Sequence, residues 1–139
     1  MKTEVAITFI CEQRCDDSTD KNKFEAHGTL EKDGDVFVVE YVEPDEAMGK
    51  SVSAVHVFEK TLVHLRRSGL YQTNFVIEHN KKHRCIYKTP FGEMDMDIFA
   101  DEVFADISEN GGDIRLKYRL ESNSGVIAEN SLHLIIKTA

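Results

Sequence analysis

Turn-forming residues punctuate this chain at nearly even intervals, and the stretches between them alternate apolar with polar side chains. The turns fall at 16–22, Asp33-Gly34-Asp35, 44–49, Glu59-Lys60, Ser68-Gly69, Asn80-Lys81, Pro90 to Gly92, Asp101, Asn110-Gly111-Gly112 and 123–125. Side chains on a strand point alternately to opposite faces, so a period of two broken by a turn roughly every 8–12 residues specifies short antiparallel strands. The expected fold is all-β with little helix, a sandwich or a closed barrel of about eight to eleven strands.

The second half of the chain alternates most cleanly. Ile114, Leu116, Tyr118 and Leu120 share one face, and Arg115, Lys117, Arg119 and Glu121 share the other. Met94, Met96, Ile98 and Ala100 oppose Glu93, Asp95 and Asp97 in the same way, and Ala128, Leu132, Leu134 and Ile136 oppose Glu129, Ser131, His133 and Lys137. Residues 51–67 carry a second periodicity, because Val55, Phe58, Leu62 and Leu65 also recur at helical spacing. The β-branched Val52, Val55, Val57, Thr61 and Val63 favour strands, since branching at Cβ restricts χ1 in a helix and packs well on a pleated surface. A hairpin turning at Glu59-Lys60 pairs Phe58 with Thr61 and His56 with Val63, which puts His56, Val63, Leu65 and Arg67 on the core side. Two turn signals, Ser68-Gly69 and Asp101, are candidates for a bend or bulge within one long strand. The longest polar interruption, Cys15 to Asn22, reads as a loop between two strands.

At 139 residues the chain suits a single domain, 1–139, large enough to bury a core without metal or disulfide staples. Its 30 % charged and 41 % hydrophobic content is that of a folded soluble protein. No stretch approaches the roughly 20 apolar residues of a membrane span, and the first residues lead into no signal-peptide core, so a cytoplasmic location is expected. The three cysteines, Cys11, Cys15 and Cys85, are then expected as reduced thiols. A net charge of −8 argues against nucleic acid, because phosphate-backbone binding needs a basic face that releases counterions. Two small basic clusters, Arg66-Arg67 and Lys81-Lys82-His83-Arg84, lie beside predicted turns and read as solvated hairpin ends.

A run of particular residues resembles one known family. Gly28 precedes the strand Val36 to Glu43 with its Tyr41-Val42-Glu43; Arg67-Ser68-Gly69 and Phe75 follow. Next come Tyr87-Lys88-Thr89-Pro90-Phe91-Gly92 and Gly111-Gly112-Asp113-Ile114-Arg115-Leu116-Lys117-Tyr118, and then Asn130. In order and spacing the chain resembles the uncharacterised bacterial YwiB-like proteins, which are calycin-like β-barrels of undefined function. The resemblance implies an antiparallel up-and-down barrel of the calycin or lipocalin type, and it carries over no catalytic residue. The segment from Cys11 to Cys15 and the acidic stretch after it look individual to this chain.

Most motifs that could carry chemistry dissolve on inspection. Cys11 and Cys15 on one strand stand about 13 Å apart, too far for one tetrahedral zinc. His79 and His83 flank a hairpin turn near Cys85, with no fourth ligand in view. The run 16–20 lacks the glycine an EF-hand loop needs at its sixth position, where Lys21 stands. Asp95 and Asp97 oppose an apolar face and read as solvated surface, and Ser68-Gly69 lacks a nucleophile elbow. No metal, cofactor or catalytic constellation is expected.

Polar residues on apolar faces carry more weight: His56, Arg67, Tyr87, Tyr118 and Asn130. Buried polar groups must be hydrogen-bonded and a buried guanidinium paired, so these residues either satisfy one another or meet a ligand. The leading expectation is a non-enzymatic barrel that binds a small anionic or amphipathic ligand through Arg67 with Tyr and His donors. Phe75, Met94, Met96 and Tyr118 would form its lining. The alternative is a filled barrel serving protein interaction or self-association, with outward Val39, Val76 and Phe99 covered in a homodimer. An enzyme using His56 or a tyrosine as acid or base ranks last.

Overall fold

A computed structural model describes residues 2–15, 18–42, 51–69, 72–122 and 125–138. The turn signals at 16–17, 44–49 and 123–124 lie outside these residues. Ten strands, all antiparallel to their ladder neighbours, make up the described chain: β1 (Lys2–Cys15), β2 (Ser18–Asp33), β3 (Val36–Val42), β4 (Val52–Glu59), β5 (Leu62–Ser68), β6 (Thr73–Glu78), β7 (Lys82–Thr89), β8 (Gly92–Ser108), β9 (Gly111–Ser122) and β10 (Gly125–Thr138). The order across the sheet is β6-β5-β4-β3-β2-β1-β10-β9-β8-β7. Every strand pairs with its sequence neighbour except β6 and β7, and the first and last strands pair from Val5↔Thr138 to Arg14↔Glu129. The barrel is nearly closed, and its seam lies between β6 and β7. No helix in the described residues is long and apolar enough to cross a membrane.

Among the described residues, backbone hydrogen bonds join the seam at three places. Gln72 and Lys88 exchange both backbone hydrogen bonds at 2.9 Å. Further along, the Asn80 amide donates to the Ala100 carbonyl at 2.8 Å and the Ala105 amide to the Lys60 carbonyl at 2.9 Å. The second half of β8 therefore closes against the β4–β5 and β6–β7 turns, whereas β7 faces β6 across a joint whose one backbone bridge among the described residues is Gln72–Lys88.

A bulge lets β8 serve both neighbours. Ala100 pairs with Tyr118 and Glu102 with Lys117, which leaves Asp101 as the extra residue anticipated from its turn signal. Such an insertion bends a strand. The Asp101 carboxylate accepts two hydrogen bonds at 3.2 Å from Arg119, whose guanidinium lies 4.7 Å over the Phe99 ring. Ser68 instead ends β5, and the chain bends at Gly69.

The alternating residues of β8, β9 and β10 point inward as expected, with Ile98, Ala100, Ile114, Leu116 and Leu134 at 1 % exposure or less. Two expectations need correction. The β4–β5 hairpin turns at Lys60-Thr61, with an irregularity at Phe58 that shifts the register by one. Since a one-residue slip sends every side chain of a strand to the other face, the inward set of β4 is Ser53, Val55 and Val57, and His56 points outward. The stretch Ser18 to Asn22 is not a loop but the start of β2, paired with Cys11 to Cys15 in a long hairpin. Its polarity reflects exposure near the barrel mouth rather than absence of a strand. Val39, expected outside, is fully buried in the core. Val76 and Phe99 do face outward, half-buried, with Phe99 covered by Arg119.

Candidate functional site

The two ends of the barrel are filled differently. One is packed solid by Val5, Ile7, Val39, Val55, Val63, Ile77, Ile114 and Ile136. Toward the other, larger aromatic and polar side chains replace these aliphatics, and a cavity of about 390 Å³ opens. Phe9, Phe24, Leu65, Phe75, Leu120 and Leu132 form its apolar wall. Arg67, Ser53, Thr73, Tyr87, Tyr118 and Asn130 supply its polar atoms, and Gln13, Asp20 and Asn22 its rim.

Neighbouring strands place these groups by register. Tyr41 of β3 sits opposite Ser53 of β4, Ser53 opposite Arg67 of β5, and Arg67 opposite Thr73 of β6, a row of four inward side chains across four strands. Arg67 Nε donates to Ser53 Oγ at 3.4 Å. Tyr41 also faces Gly28 of β2 and tilts against Phe9, ring centroids 4.7 Å apart. A side chain at Gly28 would collide with the Glu40 carbonyl oxygen, so glycine permits the close strand approach that brings Tyr41 in. Tyr118 of β9 pairs with Asn130 of β10 on the far wall, and Phe75 and Tyr87 meet across the seam at 6.3 Å.

Burial pushes the Tyr118 phenol up to about 12, while the nearby Arg67 guanidinium pulls the other way. Tyr118 is therefore a neutral hydroxyl, a donor and an acceptor, at any ordinary pH. The Cys85 thiol is likewise raised by burial, to about 11, with the carboxylates of Asp97 and Asp95 adding to it; it is no thiolate nucleophile. Asn130 carries the most informative atom. Its Nδ2 is buried and has no hydrogen-bond partner among the described residues. Buried polar groups are paired in the great majority of cases, because leaving a donor dry costs about 1–3 kcal/mol.

Of the eight residues singled out from the sequence, Arg67, Phe75, Tyr87, Tyr118 and Asn130 line this one cavity. Met96, 5 % exposed, packs opposite Cys85 in the core rather than in the cavity. Met94 has inward parity, but it is 50 % exposed and lines no part of the hollow, which corrects the expectation of a methionine lining. His56 is displaced altogether: on the outer wall it pairs with His64, and the Phe58 ring lies parallel to His56 at 6.4 Å and tilted against His64 at 4.5 Å. Ser53, Tyr41 and Thr73 were missed. They are visible only once the register of β3 to β6 is known, since each is a small or isolated polar residue among apolar ones.

A second recess, about 790 Å³, lies on the outer wall beside the seam. Arg66, Arg84, Lys88, His56, Glu40 and Asp95 surround it, and it reaches the inward-facing Arg67, Thr73 and Cys85. Burial lowers the pKa of His56 and His64, and Arg66 lowers both further. His83 instead contacts Glu78 at 3.0 Å. Among the described residues, no three His, Cys, Asp or Glu side chains converge as a metal site.

A family model described as a domain of unknown function, DUF1934, matches residues 7–134. No curated protein matches the chain. The crystal structure of ywiB protein from Bacillus subtilis is similar over 99 % of this chain and 93 % of that one, with a TM-score of 0.88 and 18 % sequence identity. At that identity the likeness speaks for the fold.

Proposed function

We propose that this chain, which belongs to the DUF1934 family of YwiB-like proteins, is a calycin-like binding barrel that holds one small amphipathic anion in its hollow end. The observation that carries the reading is the buried Asn130 Nδ2, a donor without a partner among the described residues, on the wall of a cavity that also presents Arg67 and Tyr118. A ligand oxygen accepting from Asn130 would remove the cost of that dry donor. A guanidinium can hold a carboxylate or phosphate through two parallel hydrogen bonds, and Tyr118 adds a neutral donor. Phe9, Phe24, Leu65, Phe75 and Leu120 suit an apolar body, and about 390 Å³ lies at the small end of the range for ligand sites. Small barrels of this kind have room for one such ligand. On this reading the protein's role is to bind and carry its ligand in the cytoplasm.

The test is direct titration with an aromatic monoanion, 1-anilinonaphthalene-8-sulfonate, beside native mass spectrometry of protein purified from its own host. Saturable one-to-one binding, lost in Arg67→Ala and Asn130→Leu while circular dichroism is unchanged, is the expected result. A wild type that binds no amphipathic anion and carries no co-purified small molecule would refute it.

A further inference from the structure

The outer recess is basic in an acidic molecule. Its described lining holds Arg66, Arg67, Arg84 and Lys88 against two carboxylates, Glu40 and Asp95, while the whole chain carries −8. Arg66 makes no ion pair among the described residues; Arg84 contacts Asp97 at 3.4 Å and Lys88 contacts Glu93 at 3.7 Å, each pair largely exposed. Local concentration of one sign against the global charge marks a surface that attracts the opposite charge. Burial lowers the pKa of His56 and His64 first, and the charge of Arg66 adds to it in both.

The recess is also joined to the barrel interior. Arg67, Thr73, Arg66 and Ala54 line both spaces, and the recess touches Cys85, an inward residue of β7 only 6 % exposed. This contact through the wall exists because, among the described residues, β6 and β7 pair only at Gln72–Lys88: continued in register, the ladder would set Asn74 against Ile86, yet no backbone hydrogen bond forms there. Arg67 thus stands where the slot in the wall meets the hollow.

We infer that the recess and the hollow form one site for a phosphate monoester: the dianionic phosphate held by Arg67 at the β6–β7 slot and by Arg66, Arg84 and Lys88 beside it, the ester chain running into the apolar cavity. This rests on the binding barrel proposed above and names its ligand class. A carboxylate head satisfies Arg67 alone, whereas a phosphate, close to doubly charged above its second pKa of about 6, exploits the three outer cations as well.

Calorimetric titration at pH 8 with octyl phosphate, octanoate and inorganic phosphate tests the assignment. Octyl phosphate is expected to bind at least tenfold more tightly than octanoate and than inorganic phosphate. The exposed double variant Arg84→Ser/Lys88→Ser, whose residues line the recess but not the hollow, should remove most of that advantage and leave octanoate affinity within twofold. Equal binding of octyl phosphate and octanoate by the wild type, or an advantage that survives the double variant, overturns the phosphate assignment and leaves the barrel reading standing. Inorganic phosphate binding as tightly as octyl phosphate overturns the joined site, because the chain would then contribute nothing. If neither octanoate nor octyl phosphate binds, the barrel reading fails and this inference with it.

Discussion

Asn130 and Tyr118 face each other across one strand pair and make opposite demands on stability. Asn130 Nδ2 is a buried donor without a partner among the described residues, so Asn130→Leu, which removes it and adds apolar volume to a cavity wall, is expected to stabilise the unliganded protein by about 1–3 kcal/mol in urea denaturation. A loss of stability would mean that the amide is satisfied in solution. Tyr118 titrates from an ordinary value of 10.0 to about 12 in the folded protein. Folding favours its protonated form, so that contribution is complete below pH 10 and is lost as pH rises toward 12. A difference of this size corresponds to about 3 kcal/mol. Cys85 adds an earlier loss between pH 9 and 11 by the same reasoning. Thermal melts should therefore fall steeply above pH 9 in the wild type, and Tyr118→Phe should flatten the portion above pH 10.

At the scale of the strand, the backbone approach at Gly28 makes a sharp demand. A Cβ there meets the Glu40 carbonyl oxygen and the Cβ of Tyr41, so Gly28→Ala should destabilise by about 1–3 kcal/mol and displace Tyr41 from the cavity. Unchanged stability in urea would show that β2 and β3 separate freely at this point. Strand identities and faces were legible wherever both strands of a pair alternate cleanly, as in β8, β9 and β10, and even the Asp101 bulge announced itself as a turn signal in mid-strand. The β4–β5 hairpin was not legible: β4 is apolar at both parities, with Val52, Ala54 and Phe58 on one and Val55 and Val57 on the other. Only the irregularity at Phe58 decides which parity goes in, and it left His56 on the wrong side of the wall. Arg67 survived that error because β5 kept its own phase. For the same reason five of the eight site residues fell together in space while the methionines did not: inward parity says nothing about height along the barrel.

For the molecule as a whole, the seam divides strongly from weakly held structure. The β1–β10 ladder runs from Val5↔Thr138 to Arg14↔Glu129 at the middle of the sheet, whereas β6 and β7 are its edges, joined among the described residues at one bridge. Native-state amide exchange should find the slowest amides in β1, β9 and β10, and the fastest strand amides at 74–77 and 84–86 along the slot. Uniform protection around the barrel would show that the seam is closed in solution. The chain is thus two meanders, β1–β6 and β7–β10, linked covalently at 79–81 where they pair least and hydrogen-bonded along β1–β10 where no peptide links them. Cutting the backbone at that turn would sever little that holds the barrel together, which suits the protein to splitting: fragments 1–80 and 81–139, expressed together, should find each other through the first and last strands and rebuild the hollow between them.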